Sequence, residues 1–140
     1  MSELFVLDSG ALGALASDDA RMRRLLANIV RDAGFICVPA VVLAECYGDS
    51  RHDARYDRAL KALGGAERVI VDTTAKIAKE AGRITRAARM KETIDAIVVA
   101  TAASSSMRAT IVTGDESHVE DLACCAEPDL GIIYLNDLRR

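Results

Sequence analysis

Four carboxylates stand where packing alone would not put them. Asp8 directly follows the apolar run Phe5-Val6-Leu7, and Asp115 follows Thr110-Ile111-Val112-Thr113 after a single glycine. Glu45, in AVVLAEC, comes three and four residues beyond Val42 and Val41, so a helix through that segment predicts it on their apolar face. Asp95, in TIDAIVVATA, shares a helical stripe with Val98, Val99 and Ala102. A lone buried carboxylate takes up a proton or demands a cationic partner, because desolvating its charge is costly. Each acid also has an ordinary explanation. Asp8 and Asp115 fit as N-caps of helices that follow them, Asp95 suits the positive end of a helix macrodipole, and Glu45 is merely exposed if the helix phase differs. Convergence accounts for all four together. Carboxylates gathered within a few ångströms need a counter-charge, and a hard divalent cation, Mg²⁺ or Mn²⁺, prefers oxygen ligands and joins carboxylates to substrate phosphate.

The elements that must position these acids are legible as alternating apolar runs and helical periodicities. Strands are predicted at 5–7, 35–38, 69–71, 110–113 and 131–135. Helices are predicted for SGALGALAS, for 19–32, after residue 38 with Pro39 in the first turn, and for 53–63, 74–90 and 94–105. The pair Gly64-Gly65 ends the 53–63 helix. Short apolar strands between helices indicate an α/β fold with a mainly parallel sheet of about five strands, covered on both faces. Asp8 and Asp115 then face the carboxyl edge, where open parallel sheets bind their ligands.

At 140 residues and 51% hydrophobic content the chain suits one domain, 1–140, with an adequate core. Its longest apolar stretch, AIVVATAA at 96–103, is far short of the roughly 20 residues that cross a membrane. With no basic segment and apolar signal core at the N-terminus, a soluble cytoplasmic protein is expected. Cys37, Cys46, Cys124 and Cys125 lack CxxC spacing and read as reduced thiols, mostly core filler. The net charge of −3 hides a division: residues 51–91 hold eleven Lys/Arg against five Asp/Glu, while the remainder holds seven against sixteen. A cationic surface can therefore lie beside an acidic pocket.

VLDSGAL, VPAVVLAEC, TIDAIVVATA and IVTGDESHV, in this order, resemble the four successive motifs of PIN domains, especially VapC-type toxins of toxin–antitoxin pairs, over about residues 5–135. The resemblance implies a three-layer α/β/α domain, Mg²⁺- or Mn²⁺-dependent endoribonuclease activity, a homodimer and inhibition by a cognate antitoxin. It puts the family's acidic quartet on Asp8, Glu45, Asp95 and Asp115, as catalytic and metal-binding residues. Ser9 and Thr113 match hydroxyl positions that orient ligands or waters from behind the acids. Where many relatives carry a further acid, this chain offers Glu116, Glu120 and Asp121, and His118 matches an aromatic-or-His position.

The chemistry expected is metal-assisted phosphodiester hydrolysis, with Glu45 either a metal ligand or the base for the attacking water. Cations to guide RNA are Arg51, Arg55, Arg58, Lys61 and the stripe Lys76, Lys79, Arg83 and Arg86. An aromatic content of 4% argues against an extensive base-stacking platform. An antitoxin segment is expected in a groove beside the acids. The rival readings are a noncatalytic PIN-like module that binds RNA or protein, and an acid-centred phosphatase or phosphoacceptor. The phosphatase wants a second acid two residues after Asp8, where Gly10 stands, and the phosphoacceptor wants an acidic pair after the first strand, for which Asp18-Asp19 lies too far along.

Overall fold

The structure, a computed structural model, describes residues 2–64, 69–114 and 118–138. Strands β1 (Glu3–Leu7), β2 (Phe35–Pro39), β3 (Ile70–Val71), β4 (Arg108–Thr113) and β5 (Gly131–Tyr134) form one parallel sheet in the order β3-β2-β1-β4-β5. Seven α-helices lie among the described residues: α1 (Ser9–Ala16), α2 (Ala20–Arg31), α3 (Ala40–Cys46), α4 (Asp53–Ala62), α5 (Ala75–Ala88), α6 (Thr93–Ala103) and α7 (Val119–Ala123). None is long and apolar enough to cross a membrane.

The strand order is what locates a site. From β1 the chain steps outward to β2 and β3, then returns across to β4 on the other side of β1. Right-handed crossovers running in opposite directions deposit their helices on opposite faces. Packing follows that rule: α1 packs against α2, α3 and α4, while α5, α6 and α7 pack against one another. The product is the α/β/α sandwich that the sequence predicts, with its switch in strand order between β1 and β4. Because both faces are covered, consecutive residues Val6 and Leu7, and likewise Ile111 and Val112, are all fully buried. Helix α6 is buried on more than one side, through Ala96, Val98, Val99, Ala100, Thr101 and Ala102, which is why it reads as nearly continuous apolar sequence.

Several boundaries differ from expectation for identifiable reasons. Pro39 closes β2 and occupies the N-cap position of α3, extended at φ −59° and ψ 135°, instead of entering the first helical turn. Val69 is buried but lies outside β3. The 74–90 helix stops at Ala88 because Arg89 turns left-handed at φ 56°. Gly64, at φ +108°, follows α4 as a helix breaker should, and Gly65 lies outside the described residues. Helix α7 is too short to show a periodicity, and the sequence reading offers a helix there only through the N-cap reading of Asp115, without bounds. Cys37 and Cys46 are buried thiols pushed up to about 11 by burial, so they stay protonated and inert, but Cys124 is exposed and not core filler.

One buried charge ties the first face to the far edge of the sheet. Arg21 donates to Asp19 from Nη2 at 2.8 Å and from Nε at 3.1 Å, and from Nη1 to the Leu135 carbonyl at 3.1 Å. Those bonds hold the Asp19 carboxyl down at about 2. Arg21→Ala strips donors from both partners and is expected to cost about 2–4 kcal/mol in denaturant unfolding. The Asp19 share of that stability is present above 3.8 and fades as pH falls towards 2, so the gap between variant and wild type should narrow in acid.

Candidate active site

Asp8 is delivered to the switch point by β1 and fixed there from two directions. Its backbone N–H donates to the Val112 carbonyl at 3.1 Å, prolonging the β1–β4 ladder by one bond. Its Oδ1 accepts from the Ala11 N–H at 2.9 Å, capping α1, and Thr113 Oγ1 donates to Oδ2. The cap and the strand-end acid are therefore one residue doing both jobs, its carboxylate held by Ala11, Thr113 and Gly114. Thr113, itself fully buried, orients Asp8; Ser9 opens α1 half-buried. Two glycines allow this junction. A Cβ on Gly10 would meet Gly114 Cα at 2.8 Å and Gly114 N at 2.9 Å, so the start of α1 and the end of β4 touch backbone to backbone.

Asp95 sits half-buried in the first turn of α6, and Glu45 lies on α3, which packs against α6. Burial of the Asp8 carboxyl, 4% exposed, raises its pKa above the ordinary 3.8. Hydrogen bonds from Thr113, Ala11 and Gly114 oppose that rise, and the charge of Glu45 reinforces it. The Asp95 carboxyl is raised too, first by burial and then by the charges of Asp8 and Glu45; His118 works in the opposite direction and Glu92 adds to the rise. Asp8, Glu45 and Asp95 thus share one electrostatic site. Glu45 differs from expectation in being exposed: α3 turns its buried face through Val42 and Cys46, leaving Glu45 on the solvent side. Asp115 and Glu116 lie outside the described residues. Among the described residues no three potential ligands are gathered tightly enough to form a preassembled metal cage. The donor set nevertheless suits a hard cation: all carboxylate oxygen, mutually repelling, with charge that desolvation leaves uncompensated.

Glu45 and Asp95 open onto a cleft of about 350 Å³, whose wall also includes Lys91, Glu92, Thr93 and Ile94. Sequence reading missed Lys91 and Glu92 as site residues; the signal available was the polar break Lys91-Glu92-Thr93 just before an apolar helix. His118, at the N-cap position of α7, brings Nε2 to 3.6 Å from Glu92 Oε1. Glu120 is bonded by the Tyr134 hydroxyl at 3.0 Å, on the exposed side of α7.

The cations expected to guide RNA disperse. Arg51 is spent on Asp49 at 2.6 Å, and Arg83 on Glu80 at 2.5 Å and the Cys125 carbonyl at 3.0 Å. Arg55 and Arg58 line an apolar groove of about 800 Å³ between α1, α2 and α4, with Leu15, Leu26 and Val30. Arg86 is exposed, beside Lys76 and Lys79 in a separate cleft of about 610 Å³. The large groove is not beside the acids. Leu15 stands seven residues beyond Asp8, roughly 10 Å along α1.

The PIN domain family model matches residues 5–121, spanning all four acids and both sides of the switch point. The chain belongs to the PIN domain family. The fold of this PIN domain is also that of solved toxin–antitoxin complexes. It superposes on a chain of VapBC2 from Rickettsia felis bound to a DNA fragment from its promoter, with a TM-score of 0.68 and 18% identity over 94% of this chain and 98% of that one. DNA-bound VapBC from Salmonella typhimurium gives 0.65 and 18% over 96% and 99%. A toxin–antitoxin complex from Klebsiella pneumoniae gives 0.61 and 18% over 89% and 93%. No curated protein matches the chain in sequence.

Proposed function

We propose that this PIN domain is a Mg²⁺- or Mn²⁺-dependent endoribonuclease, the VapC-like toxin of a type II toxin–antitoxin pair, acting in the cytoplasm. The observation that carries this reading is the shared electrostatic site of Asp8, Glu45 and Asp95 at the switch point of a PIN fold. Asp8 and Asp95, with Asp115, are the residues to hold the cation. When bound, the ion supplies a Lewis acid for the phosphate and lowers the pKa of water. Thr113 and the Ala11 N–H keep the Asp8 carboxylate in one orientation, so that little reorganisation accompanies binding. Glu45, exposed on α3, can take the proton of an attacking water or bind the ion. With water as nucleophile the products carry a 5′-phosphate and a 3′-hydroxyl. Mapping RNA ends in cells after brief expression tests the reading: new 5′-phosphate ends are expected with wild type and none with Asp95→Ala. Equal end profiles would refute it.

The apolar groove supports the antitoxin half of the reading. Val30 is 69% exposed at its edge, and Arg23, Arg31, Arg55 and Arg58 surround the apolar floor, Arg23 paired with Asp18 at 3.2 Å and Arg31 with Asp32 at 3.4 Å. An amphipathic segment with acidic flanks is the complement of such a surface. Val30→Asp is expected to weaken inhibition by the product of a neighbouring small gene at least about tenfold, with cleavage by the free protein unchanged. Inhibition titrations against that product measure it. Homodimerisation belongs to the same reading, and light scattering of the purified chain decides it.

A further inference from the structure

A phosphodiester approaching Glu45, Glu92 and Asp95 meets like charge, so the substrate strand needs a cation at the cleft itself. Among the described residues the cleft wall has one Lys or Arg, Lys91. The acid next to it in sequence, Glu92, also lines the cleft and has His118 Nε2 at 3.6 Å, so it does not neutralise Lys91. Lys91 and Arg89 are both exposed, and neither forms an ion pair within 4 Å among the described residues. The turn that carries them is well fixed: Arg89 N donates to the Arg86 carbonyl at 3.3 Å, Met90 N to the Thr85 carbonyl at 3.0 Å, and Thr93 N to the Lys91 carbonyl at 2.9 Å. Met90 packs against the core between the two cations, so Arg89 and Lys91 stand outward on either side of an anchored residue.

Resting on the ribonuclease reading, we propose that the turn joining α5 to α6 grips the backbone of single-stranded RNA, Lys91 holding the phosphate beside the acids and Arg89 the next one along. Lys91 and Arg89 are positioning residues for the strand, and their role is independent of base identity. The alternative for Lys91 is simple neutralisation of the acidic cleft. That role would affect the fold without changing how many counterions RNA releases on binding.

The distinguishing experiment measures binding of a short labelled single-stranded RNA across a salt series, in the cleavage-deficient Asp8→Asn background, with cleavage by otherwise wild-type protein measured alongside. Lys91→Gln is expected to weaken binding about tenfold at low salt and to reduce the slope of log K against log salt by about 0.7, the loss of one phosphate contact. Arg89→Gly is expected to reduce the slope similarly while holding or raising Tm, because glycine is at ease in the left-handed conformation Arg89 adopts. A merely structural turn would give the reverse, an unchanged slope. If RNA is bound and cleaved but neither variant alters the slope, the grip is refuted and the nuclease stands. If Lys91→Gln alters the slope of a protein that never cuts RNA, the grip stands and the nuclease reading falls. RNA that is neither bound nor cut overturns both.

Discussion

Asp95→Asn is expected to reduce RNA cleavage by a hundredfold or more, on the order seen when charge stabilisation at a reacting centre is removed, while raising the thermal stability of the metal-free protein at neutral pH. The two effects share a cause. Burial first, then the charges of Asp8 and Glu45, raise the Asp95 carboxyl above 3.8 in the folded chain. A carboxyl raised on folding contributes stability fully below its unfolded pKa and loses that contribution as pH rises through the folded value. Wild type and variant should therefore unfold alike in acid below 3.8 and diverge above it, the Asn protein becoming the more stable. Added Mg²⁺ should raise the Tm of wild type and act much less on the variant, because binding to the native state alone stabilises it. Melting curves across pH, with and without Mg²⁺, measure both statements. A variant less stable than wild type at neutral pH would show that Asp95 is held by a partner and not by opposing charges.

Gly10→Ala carries the second large effect. Its new Cβ would press on the backbone of Gly114 at 2.8 and 2.9 Å, and neither side of that contact is a flexible side chain. The start of α1 must move off the end of β4, and that junction is where Thr113 and the Ala11 N–H hold Asp8. Overpacking of this kind costs about 1–3 kcal/mol. Misplacing a catalytic group by about an ångström can cost roughly a hundredfold in rate, so at least a tenfold loss of cleavage is expected. Gly114→Ala should be milder in packing, since its Cβ would lie 3.1 Å from Gly10 Cα with the next atom at 3.6 Å. Denaturation midpoints and cleavage rates for both variants test the ranking. Gly10→Ala protein as stable and as active as wild type would remove the close junction from the description.

Much of the fold was legible in the sequence because parallel strands covered on both faces read as unbroken apolar runs, and because α2 and α5 each bury a single stripe. Strand order was not. The placement of β4 beside β1 depends on the direction of one crossover, which no local pattern records, yet it creates the switch point that gives Asp8 its meaning. At the site, periodicity put Glu45 one step out of phase: α3 is only seven residues long, too short for Val41 and Val42 to define its buried face. The cations were hardest to assign. Arg51 and Arg83 are consumed by acids two and three residues away, while Lys91 matters through its place on the cleft wall, which depends on how α3 and α6 meet.

Purified protein freed of any bound antitoxin decides whether the acids at the β1–β4 switch form a cation-dependent site for RNA hydrolysis. Diverse structured RNAs are incubated with wild type and with Asp8→Asn, in Mg²⁺, in Mn²⁺ and in chelator, and the new ends are mapped. Asp8→Asn keeps the helix cap, since Asn is as good an N-cap as Asp, and its Nδ2 can donate to the Thr113 hydroxyl where Thr113 now donates, so a loss of cleavage with an unchanged melting curve reports the charge and not the fold. The expected result is cleavage by wild type in either metal, leaving 5′-phosphate and 3′-hydroxyl ends, none in chelator and none with Asp8→Asn. RNA left intact by wild type in both metals, or cut equally by Asp8→Asn, would contradict it.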